Sequence, residues 1–389
     1  MREGGDRPRL PCAHFPNCVG CALIGKAYGE QLQLKREAVR AALATFPSLA
    51  HCEIPEVVGS PKAFGYRNQV KLVVRRASRG LLLGIYRPGS HQVVDIRECP
   101  VHHPLITQTL PLIAKVIEDS GLSIYDERTQ TGSLRYVVLR VANWSRTVQI
   151  ILVSADAVLP QARRLVAALR PIPRVVSIVH NINSEPGNVI LGQRFVPLTS
   201  ETALMEKVGS LKLKTHAGAF LQANISVARK LYEHALAWAA PSPSTVAIDL
   251  YCGVGAFSFY LAGVAKTVFG IESSAVAVND AKENVRLNGF HNLRFQCGET
   301  AKLLPELVGR LGSVDLITLN PPRKGADEVT RAAIVAAAPQ RIVYVSCDPK
   351  TLARDLDWFS GHAYRLTALQ PFDMLPQTEH VECVALLVR

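Results

Sequence analysis

The 389-residue sequence has no long hydrophobic run, no internal repeat and no low-complexity segment. Its longest uncharged apolar stretch, between Asp249 and Lys266, is interrupted by glycines and is shorter than the roughly 20 residues that span a bilayer. The charged start MREGGDRPRL lacks the apolar core of a signal peptide. Without an export signal, nine cysteines, an odd number, do not favour a disulfide framework. We therefore expect a cytoplasmic protein with reduced thiols.

Acidic side chains are too few to balance the basic ones. The 44 Lys and Arg residues exceed the 32 Asp and Glu residues, which gives a net charge of +12. Residues 1–200 carry 25 basic and 14 acidic side chains, whereas residues 201–389 carry 19 and 18. A basic amino-terminal half indicates a polyanion partner, and the alternative is a solvated basic surface without a partner.

The strand and helix patterns predict a division into three parts. Residues 1–60 contain a cysteine-rich segment and a helical pattern, and residues 61–205 contain short β-branched runs typical of an antiparallel α+β domain. In residues 206–389 strands alternate with helices, which predicts a doubly wound, mostly parallel sheet. The last two apolar runs are joined by only about ten residues, so we expect a hairpin that adds an antiparallel strand at the sheet edge.

A glycine turn follows the first predicted strand of the carboxyl-terminal domain, in Asp249-Leu-Tyr-Cys-Gly-Val-Gly. Gly253 and Gly255 allow the backbone to approach a ligand, and a helix start supplies free N–H groups. Ser258 stands where a pyrophosphate-binding loop has its third glycine, so an uncharged part of a cofactor fits better. Glu272 ends the next strand and can bind ribose hydroxyls. This pattern predicts S-adenosylmethionine binding, and a turn that only packs a helix is the alternative.

Two further motifs stand at predicted strand ends, where open α/β sheets bind their ligands. In Asn320-Pro-Pro-Arg323 the prolines fix the backbone and present the Asn side chain. Related loops with an aromatic residue in place of Arg323 occur in enzymes that methylate base amino groups. Methylation of a base amino group is therefore the alternative reaction. Cys347 precedes a helix start near Lys350, which would favour its thiolate, although packing alone also explains a cysteine there. A thiolate that adds to uracil C6 activates C5, and a general base then removes the C5 proton.

Three thiols lie within ten residues near the amino terminus, in the pattern Cys12-x5-Cys18-x2-Cys21. The segment is too short and polar to fold alone, and a metal would order it. These spacings suit Zn²⁺ or an iron–sulfur cluster and do not decide between them. A fourth ligand must come from elsewhere in the chain. The candidates, with the preferred one first, are Cys99, Cys52 and His14.

Together these motifs resemble the RNA 5-methyluridine methyltransferase family over residues 10–389. The resemblance also includes Phe220-Leu-Gln-Ala-Asn, Ser-Cys-Asp-Pro-Lys-Thr-Leu-Ala-Arg-Asp and the tail Asp373-Met-Leu-Pro-Gln-Thr-Glu-His-Val-Glu. It implies a Rossmann-like α/β methyltransferase domain preceded by an α+β RNA-binding domain. It further implies that Cys347 is the nucleophile and Glu382 the general base. The implied cofactor contacts are Gln222, Tyr251, Glu272 and Asn320.

The cysteine pattern is similar to that of the ribosomal RNA members of this family. The resemblance implies a [4Fe–4S] cluster on Cys12, Cys18, Cys21 and Cys99, which we expect to be structural because the Cys347 chemistry needs no redox step. It also implies that 23S ribosomal RNA is the substrate, with transfer RNA as the rival. We expect RNA as the partner, with no membrane and no obligate protein partner.

Basic side chains alternate with two tyrosines on or between the predicted strands of residues 61–205. Such a face can follow phosphates and stack bases, and the target uridine must be single-stranded or flipped out of a duplex. A non-catalytic RNA-binding metal protein is a separate alternative. The basic residues are Arg67, Lys71, Arg75, Arg76, Arg79 and Arg87, and the tyrosines are Tyr66 and Tyr86.

Overall fold

The computed structural model describes residues 11–78, 80–187 and 189–389. The first ten residues of the predicted segment 1–60 lie outside the described residues, and so does Arg79 of the predicted RNA face. None of the helices in the described ranges is both long and apolar enough to cross a membrane.

The amino-terminal segment contains one long helix, α1 (Tyr28–Ala44), and a short 3-10 turn (Pro47–Leu49). The inward-facing apolar residues of α1, among them Val39 and Leu43, belong to the same buried core as Tyr344 of the carboxyl-terminal half. Because burial of apolar surface contributes about 25 cal/mol per Å², this contact fixes α1 to the carboxyl-terminal sheet.

Residues 69–197 form a seven-stranded sheet with two helices. Its elements are β1 (Gln69–Ala77), β2 (Gly80–Tyr86), β3 (Val93–Asp95), α2 (Pro104–Ser120), β4 (Leu134–Ala142), β5 (Thr147–Ser154), α3 (Ala162–Leu169), β6 (Val175–Ile182) and β7 (Arg194–Pro197). The strand order is β3-β2-β1-β4-β5-β6-β7. The sheet was expected to be antiparallel, but β5 and β6 are parallel because α3 connects them by a crossover.

A two-stranded hairpin and a second seven-stranded sheet follow. The elements are β8 (Ala203–Val208), β9 (Leu211–His216), α4 (Ile225–Ala239), β10 (Val246–Leu250), α5 (Ala256–Ala262), β11 (Thr267–Glu272), α6 (Ala275–Asn288), β12 (Leu293–Cys297), α7 (Thr300–Leu311), β13 (Leu316–Leu319), α8 (Glu328–Ala337), β14 (Arg341–Ser346), α9 (Pro349–Ser360), β15 (Arg365–Phe372) and β16 (Glu382–Val388). The short strands β10, β13 and β14 are almost completely buried, as expected for parallel strands covered by helices on both faces.

The second sheet has the order β12-β11-β10-β13-β14-β16-β15. Strands β10 to β14 are parallel, whereas β16 runs antiparallel to both of its neighbours. The predicted hairpin is therefore present, but its reversed strand is not at the edge. Strand β15 pairs with the outer side of β16 and takes the edge position.

The strand order reverses at β10, because the chain continues to β11 on one side and later to β13 on the other. Ligands of open α/β sheets bind at this position, outside the carboxyl ends of the strands. The residues at the carboxyl ends of β10, β11, β13 and β14 are Tyr251, Glu272, Asn320 and Cys347.

Candidate active site

A cavity of about 820 Å³ opens at the carboxyl ends of the parallel strands. Its walls come from the turn after β10, the ends of β11, β13 and β14, and the chain that leads into α4 and β16. The structure brings together in this cavity all six residues that were predicted to act in catalysis or cofactor binding. They are Gln222, Tyr251, Glu272, Asn320, Cys347 and Glu382.

The turn after β10 requires its glycines. Gly255 has φ +82, and a Cβ atom there would lie 2.4 Å from Cζ of Phe295. Gly253 has φ +57, and no atom of the described residues beyond its chain neighbours lies within 4 Å of where its Cβ would stand. The N–H of Gly253 donates to Oε2 of Glu272 at 3.0 Å, which joins the turn to the end of β11. The open space beside Gly253 and the Glu272 carboxylate could therefore hold a nucleoside.

The carboxylate of Asp249, the first residue of the motif, is buried under this turn. It accepts hydrogen bonds from Ser258 at 2.5 Å and from Thr318 at 2.7 Å, so it ties α5 and β13 to β10. Burial raises the pKa of Asp249 to about 6. Because both oxygens have partners inside the protein, Asp249 has a structural role in supporting the turn.

The amide side chains of Gln222 and Asn320 make no hydrogen bond to any residue in the part of the chain that the structure describes. Gln222 is held through its backbone carbonyl, which accepts from Nδ2 of Asn68 at 3.1 Å. Asn320 is held through its backbone N–H, which donates to the carbonyl of Leu250 at 3.3 Å. The two amides are thus positioned by their backbones and available to a ligand in the cavity.

Cys347 and Glu382 are brought together by strand register. Ser346 of β14 pairs with Cys383 of β16 in an antiparallel ladder. One step further along this register Cys347 faces Glu382, and directly opposed residues have Cβ atoms about 4.5–5.5 Å apart. Both side chains line the cavity.

Burial determines the electrostatics of this pair. It raises the pKa of the Glu382 carboxyl to about 7, and the Arg323 guanidinium opposes this shift. Oε2 of Glu382 is buried and has no hydrogen-bond partner among the described residues. A carboxyl with a pKa near neutrality can accept or release a proton at physiological pH, which suits a general base.

The expectation that the start of α9 favours a thiolate at Cys347 is wrong for this structure. Burial, and then the Glu382 carboxylate, raise the pKa of Cys347, and Arg323 lowers it. The side chain of Asp348 caps α9 by accepting from the N–H groups of Lys350 and Thr351, so these donors are already used. The negative charge of Asp348 also raises the pKa of the thiol.

Arg323 and His380 are site residues whose part in the cavity was not predicted. Both line the cavity, and Nη2 of Arg323 lies 3.4 Å from Nε2 of His380. Partial desolvation and the Arg323 charge lower the pKa of His380, which favours the neutral ring. In the motif Arg323 takes the place of an aromatic residue, and its position next to Asn320-Pro-Pro is the sequence signal for a cation at the cavity.

The predicted cluster cysteines are neighbours. Cys99 belongs to the buried core of the first sheet, and Cys18 and Cys21 pack against that core. Burial and the nearby thiol of Cys99, together with those of Cys18 and Cys12, raise the pKa of Cys21 to about 12. Among the residues that the structure describes, no group of three or more His, Cys, Asp or Glu side chains is arranged to hold a metal ion.

The surroundings of the cysteines distinguish the possible fourth ligands. Cys52 packs against the core of the second sheet, which is not the core that contains Cys99. Nε2 of His14 is buried and has no hydrogen-bond partner in the described ranges, so His14 stays an alternative. The Arg67 guanidinium lowers the pKa of both Cys21 and Cys99, so a positive charge lies beside the thiols.

The predicted RNA face is only partly available. Tyr66 is 5% exposed and its hydroxyl donates to the carbonyl of Pro376 at 2.9 Å, so it cannot stack on a base. Arg75 lies 3.7 Å from Asp126 and 3.9 Å from Glu127, which partly neutralises its charge. Among the described residues predicted for this face, Lys71, Arg76 and Arg87 are exposed, but Lys71 and Arg76 project from opposite sides of β1 and do not share one face.

The sheet order and the cavity define the carboxyl-terminal half as an S-adenosylmethionine-dependent methyltransferase fold. Residues 27–389 match the model of the tRNA (uracil-5-)-methyltransferase family. The chain belongs to this family of RNA methyltransferases. This membership confirms the family resemblance found in the sequence.

Individual relatives match over nearly the whole chain. An uncharacterized RNA methyltransferase of Geobacter sulfurreducens is 42% identical over 97% of this chain and 77% of its own length. One from Halalkalibacterium halodurans is 35% identical over 98% of this chain and 84% of its own length. The solved structure of the Pyrococcus abyssi tRNA (uracil-54, C5)-methyltransferase, in complex with S-adenosyl-L-homocysteine, has 28% identity and a TM-score of 0.75. It covers 96% of this chain and 86% of that one.

Proposed function

We propose that this chain methylates C5 of a uridine in RNA, with Cys347 as the nucleophile and Glu382 as the general base. The observation that carries this proposal is that the register of β14 and β16 places these two residues opposite each other at one cavity. In addition, Oε2 of Glu382 is buried and has no hydrogen-bond partner among the described residues. The side chains of Gln222, Tyr251, Glu272 and Asn320 would hold S-adenosylmethionine. When bound, this cofactor supplies the methyl group.

The reaction assigns one step to each of the two side chains. The Cys347 sulfur forms a bond to uracil C6, and the electron pair of the C5–C6 double bond moves toward O4 and makes C5 nucleophilic. After C5 has gained its methyl group, Glu382 removes the C5 proton. The double bond then re-forms and the sulfur–C6 bond breaks, which returns the thiolate. Because burial raises the pKa of the thiol, Arg323 has to favour the thiolate when RNA binds.

The test uses two variants and a denaturing gel. Glu382→Gln should methylate the RNA and then retain it as a covalent protein–RNA adduct, because the C5 proton stays in place. Cys347→Ser should give neither adduct nor product. A fully active Cys347→Ser enzyme would instead support the alternative, a base-amino methyltransferase that uses Asn320-Pro-Pro and needs no thiol. Failure to bind S-adenosylmethionine in calorimetry would support a non-catalytic RNA-binding protein.

For the substrate we propose 23S ribosomal RNA, on the basis of the cysteine pattern at the amino terminus. The second candidate is transfer RNA, because the Pyrococcus abyssi tRNA (uracil-54, C5)-methyltransferase is similar over 96% of this chain. Mass mapping of 5-methyluridine in both RNAs from cells that lack this protein decides between them. Loss of the modification from one RNA alone identifies the substrate.

We further propose that Cys12, Cys18, Cys21 and Cys99 bind a structural [4Fe–4S] cluster. The packing of the thiols near one core and the adjacent positive charge of Arg67 suit an anionic cluster. Anaerobically prepared protein should contain iron and acid-labile sulfide in equal amounts. Cys99→Ser should lose them, whereas the matched control Cys52→Ser should retain them. Zinc without sulfide would support the alternative metal.

For the domains we propose the predicted division into a cysteine segment and helix (1–60), an RNA-binding domain (61–205) and a methyltransferase domain (206–389), in a cytoplasmic protein. The exposed basic residues Lys71 and Arg76 support RNA binding by the middle domain. Reversal of both charges should weaken RNA binding and reduce its dependence on salt, while S-adenosylmethionine binding should not change.

A further inference from the structure

The loop of residues 373–381 connects β15 to β16 and leads directly into Glu382. Four consecutive carbonyl oxygens of this loop each accept a hydrogen bond from a residue far away in the sequence. The loop acceptors are Met374, Leu375, Pro376 and Gln377. Their donors, in the same order, are Asn224 at 3.3 Å, Lys35 at 3.1 Å, Tyr66 at 2.9 Å and the backbone N–H of Leu23 at 2.9 Å.

The first residue of the loop, Asp373, is fixed by the amino-terminal helix. Its carboxylate is fully buried and forms an ion pair with the ammonium group of Lys35, which is also buried. The Tyr28 hydroxyl donates to the same carboxylate at 2.8 Å. Removal of one partner from a buried ion pair leaves an uncompensated charge, so α1 and the start of the loop must fold together.

A neutral pair secures the other part of the loop. Nε2 of Gln31 donates to Oε1 of Gln377 at 3.0 Å, and the backbone N–H of Gln377 donates to Oε1 of Gln31 at 3.0 Å. Both side chains are buried, with 1% and 3% of their surface exposed. Because neither residue is charged, this pair can be altered with less damage to folding than the ion pair.

These contacts explain what determines the position of the base. The loop contributes Met374, Leu375 and His380 to the cavity wall, and it has no helix or strand of its own. Leu23, two residues after Cys21, also binds it, so the segment that carries the cysteines is joined to the loop.

We propose that Gln31 and Lys35 of α1 are positioning residues for the reaction. They hold residues 373–381 so that the Glu382 carboxylate meets the C5 proton, which makes the amino-terminal helix part of the catalytic apparatus. This inference rests on the proposed function, because it assumes that Glu382 acts after methyl transfer. A misplaced base slows release of the adduct and leaves the earlier addition and methyl transfer largely unchanged.

The test compares Gln31→Leu with Gln33→Leu, a matched control on the exposed side of the same helix. Each variant is incubated with S-adenosylmethionine and an unmodified 23S ribosomal RNA transcript, or an unmodified tRNA transcript. Gln31→Leu should raise the fraction of chain trapped as covalent adduct about tenfold and change the first-turnover rate of methyl transfer less than about twofold. Gln33→Leu should behave like the original protein.

Three outcomes overturn the inference, and a fourth separates it from the proposed function. A purely structural role would lower the melting temperature of Gln31→Leu without a rise in adduct, or would slow both steps equally. If Gln31→Leu does not fold, Tyr28→Phe replaces it, because this change removes a single hydroxyl. The fraction of Tyr28→Phe trapped as adduct should also rise, but by less than expected for Gln31→Leu. An unchanged adduct level would refute the inference. In the same gel, a Glu382→Gln protein without adduct would refute the proposed function instead.

Discussion

Replacement of Glu382 by Gln should stabilise the folded protein above neutral pH while it removes the proposed base. Burial raises the pKa of this carboxyl from its ordinary value of 4.5 to about 7. The folded state therefore holds the proton more tightly than the unfolded state. The free energy of unfolding should accordingly fall as the pH rises from about 4.5 through about 7. At about 1.4 kcal/mol per pKa unit, the total loss is about 3 kcal/mol.

Urea unfolding, followed by the fluorescence of the tryptophans, measures this effect. Trp358 in α9 and Trp238 in α4 pack against the cores that include the strands of the second sheet and report on the unfolding of this part of the chain. The quantity of interest is the difference in the free energy of unfolding between Glu382→Gln and the original chain. Relative to that of the original chain, the free energy of unfolding of Glu382→Gln should increase by about 3 kcal/mol between about pH 4.5 and about pH 8. Other titrating groups are common to both proteins and cancel in the difference.

Glu379 provides the matched control. It lies in the loop before β16, three residues before Glu382, and is exposed, so Glu379→Gln removes a carboxylate without relieving burial. Its difference from the original chain is the baseline for comparison. If the Glu382→Gln difference changed with pH no more than this baseline does, the Glu382 carboxyl would be as well solvated in the folded as in the unfolded protein. A base poised near neutrality by burial could then not be part of the reaction.

Three further variants test the environment of the site. Arg323→Gln removes the cation that lowers the pKa of both reacting side chains, so the rise of kcat/KM with pH should move to higher pH. Asp348→Ser keeps a cap on α9 but removes a negative charge, so alkylation of Cys347 at neutral pH should become faster. Gly255→Ala should abolish S-adenosylmethionine binding in calorimetry and lower the free energy of unfolding by more than about 1 kcal/mol, because Gly255 has φ +82. Gly263→Ala is its control, because Gly263 has φ −65.

The local parts of the site could be predicted from the sequence because short motifs determine them. The glycine turn at Gly253 and the acidic end of β11 follow from strand–turn–helix spacing alone. The alternation of strands and helices predicted the parallel sheet for the same reason. Cys347 and Glu382, in contrast, could be paired only through the family resemblance. Their proximity depends on how β16 inserts beside β14, which no local pattern encodes.

The remaining features depend on tertiary contacts. The parallel pairing of β5 with β6 depends on the side from which α3 crosses over. Tyr66 was expected to be exposed because its neighbours are basic, yet its hydroxyl finds a partner in a loop 310 residues later. The ion pair between Lys35 and Asp373 also joins two segments that look unremarkable in sequence, since a lysine on a helix is usually solvated.

The contact between α1 and the loop before β16 has a consequence for the order in which the parts of the chain fold. Lys35 and Asp373 are 338 positions apart, and closing so large a loop costs only about 2 kcal/mol more than closing one a tenth as long. The large separation in sequence therefore has little effect on the equilibrium stability of the contact, but contacts between distant residues form slowly during folding. After dilution from denaturant, helical circular dichroism should return first. The ability to release product should return last, when the two distant segments have met.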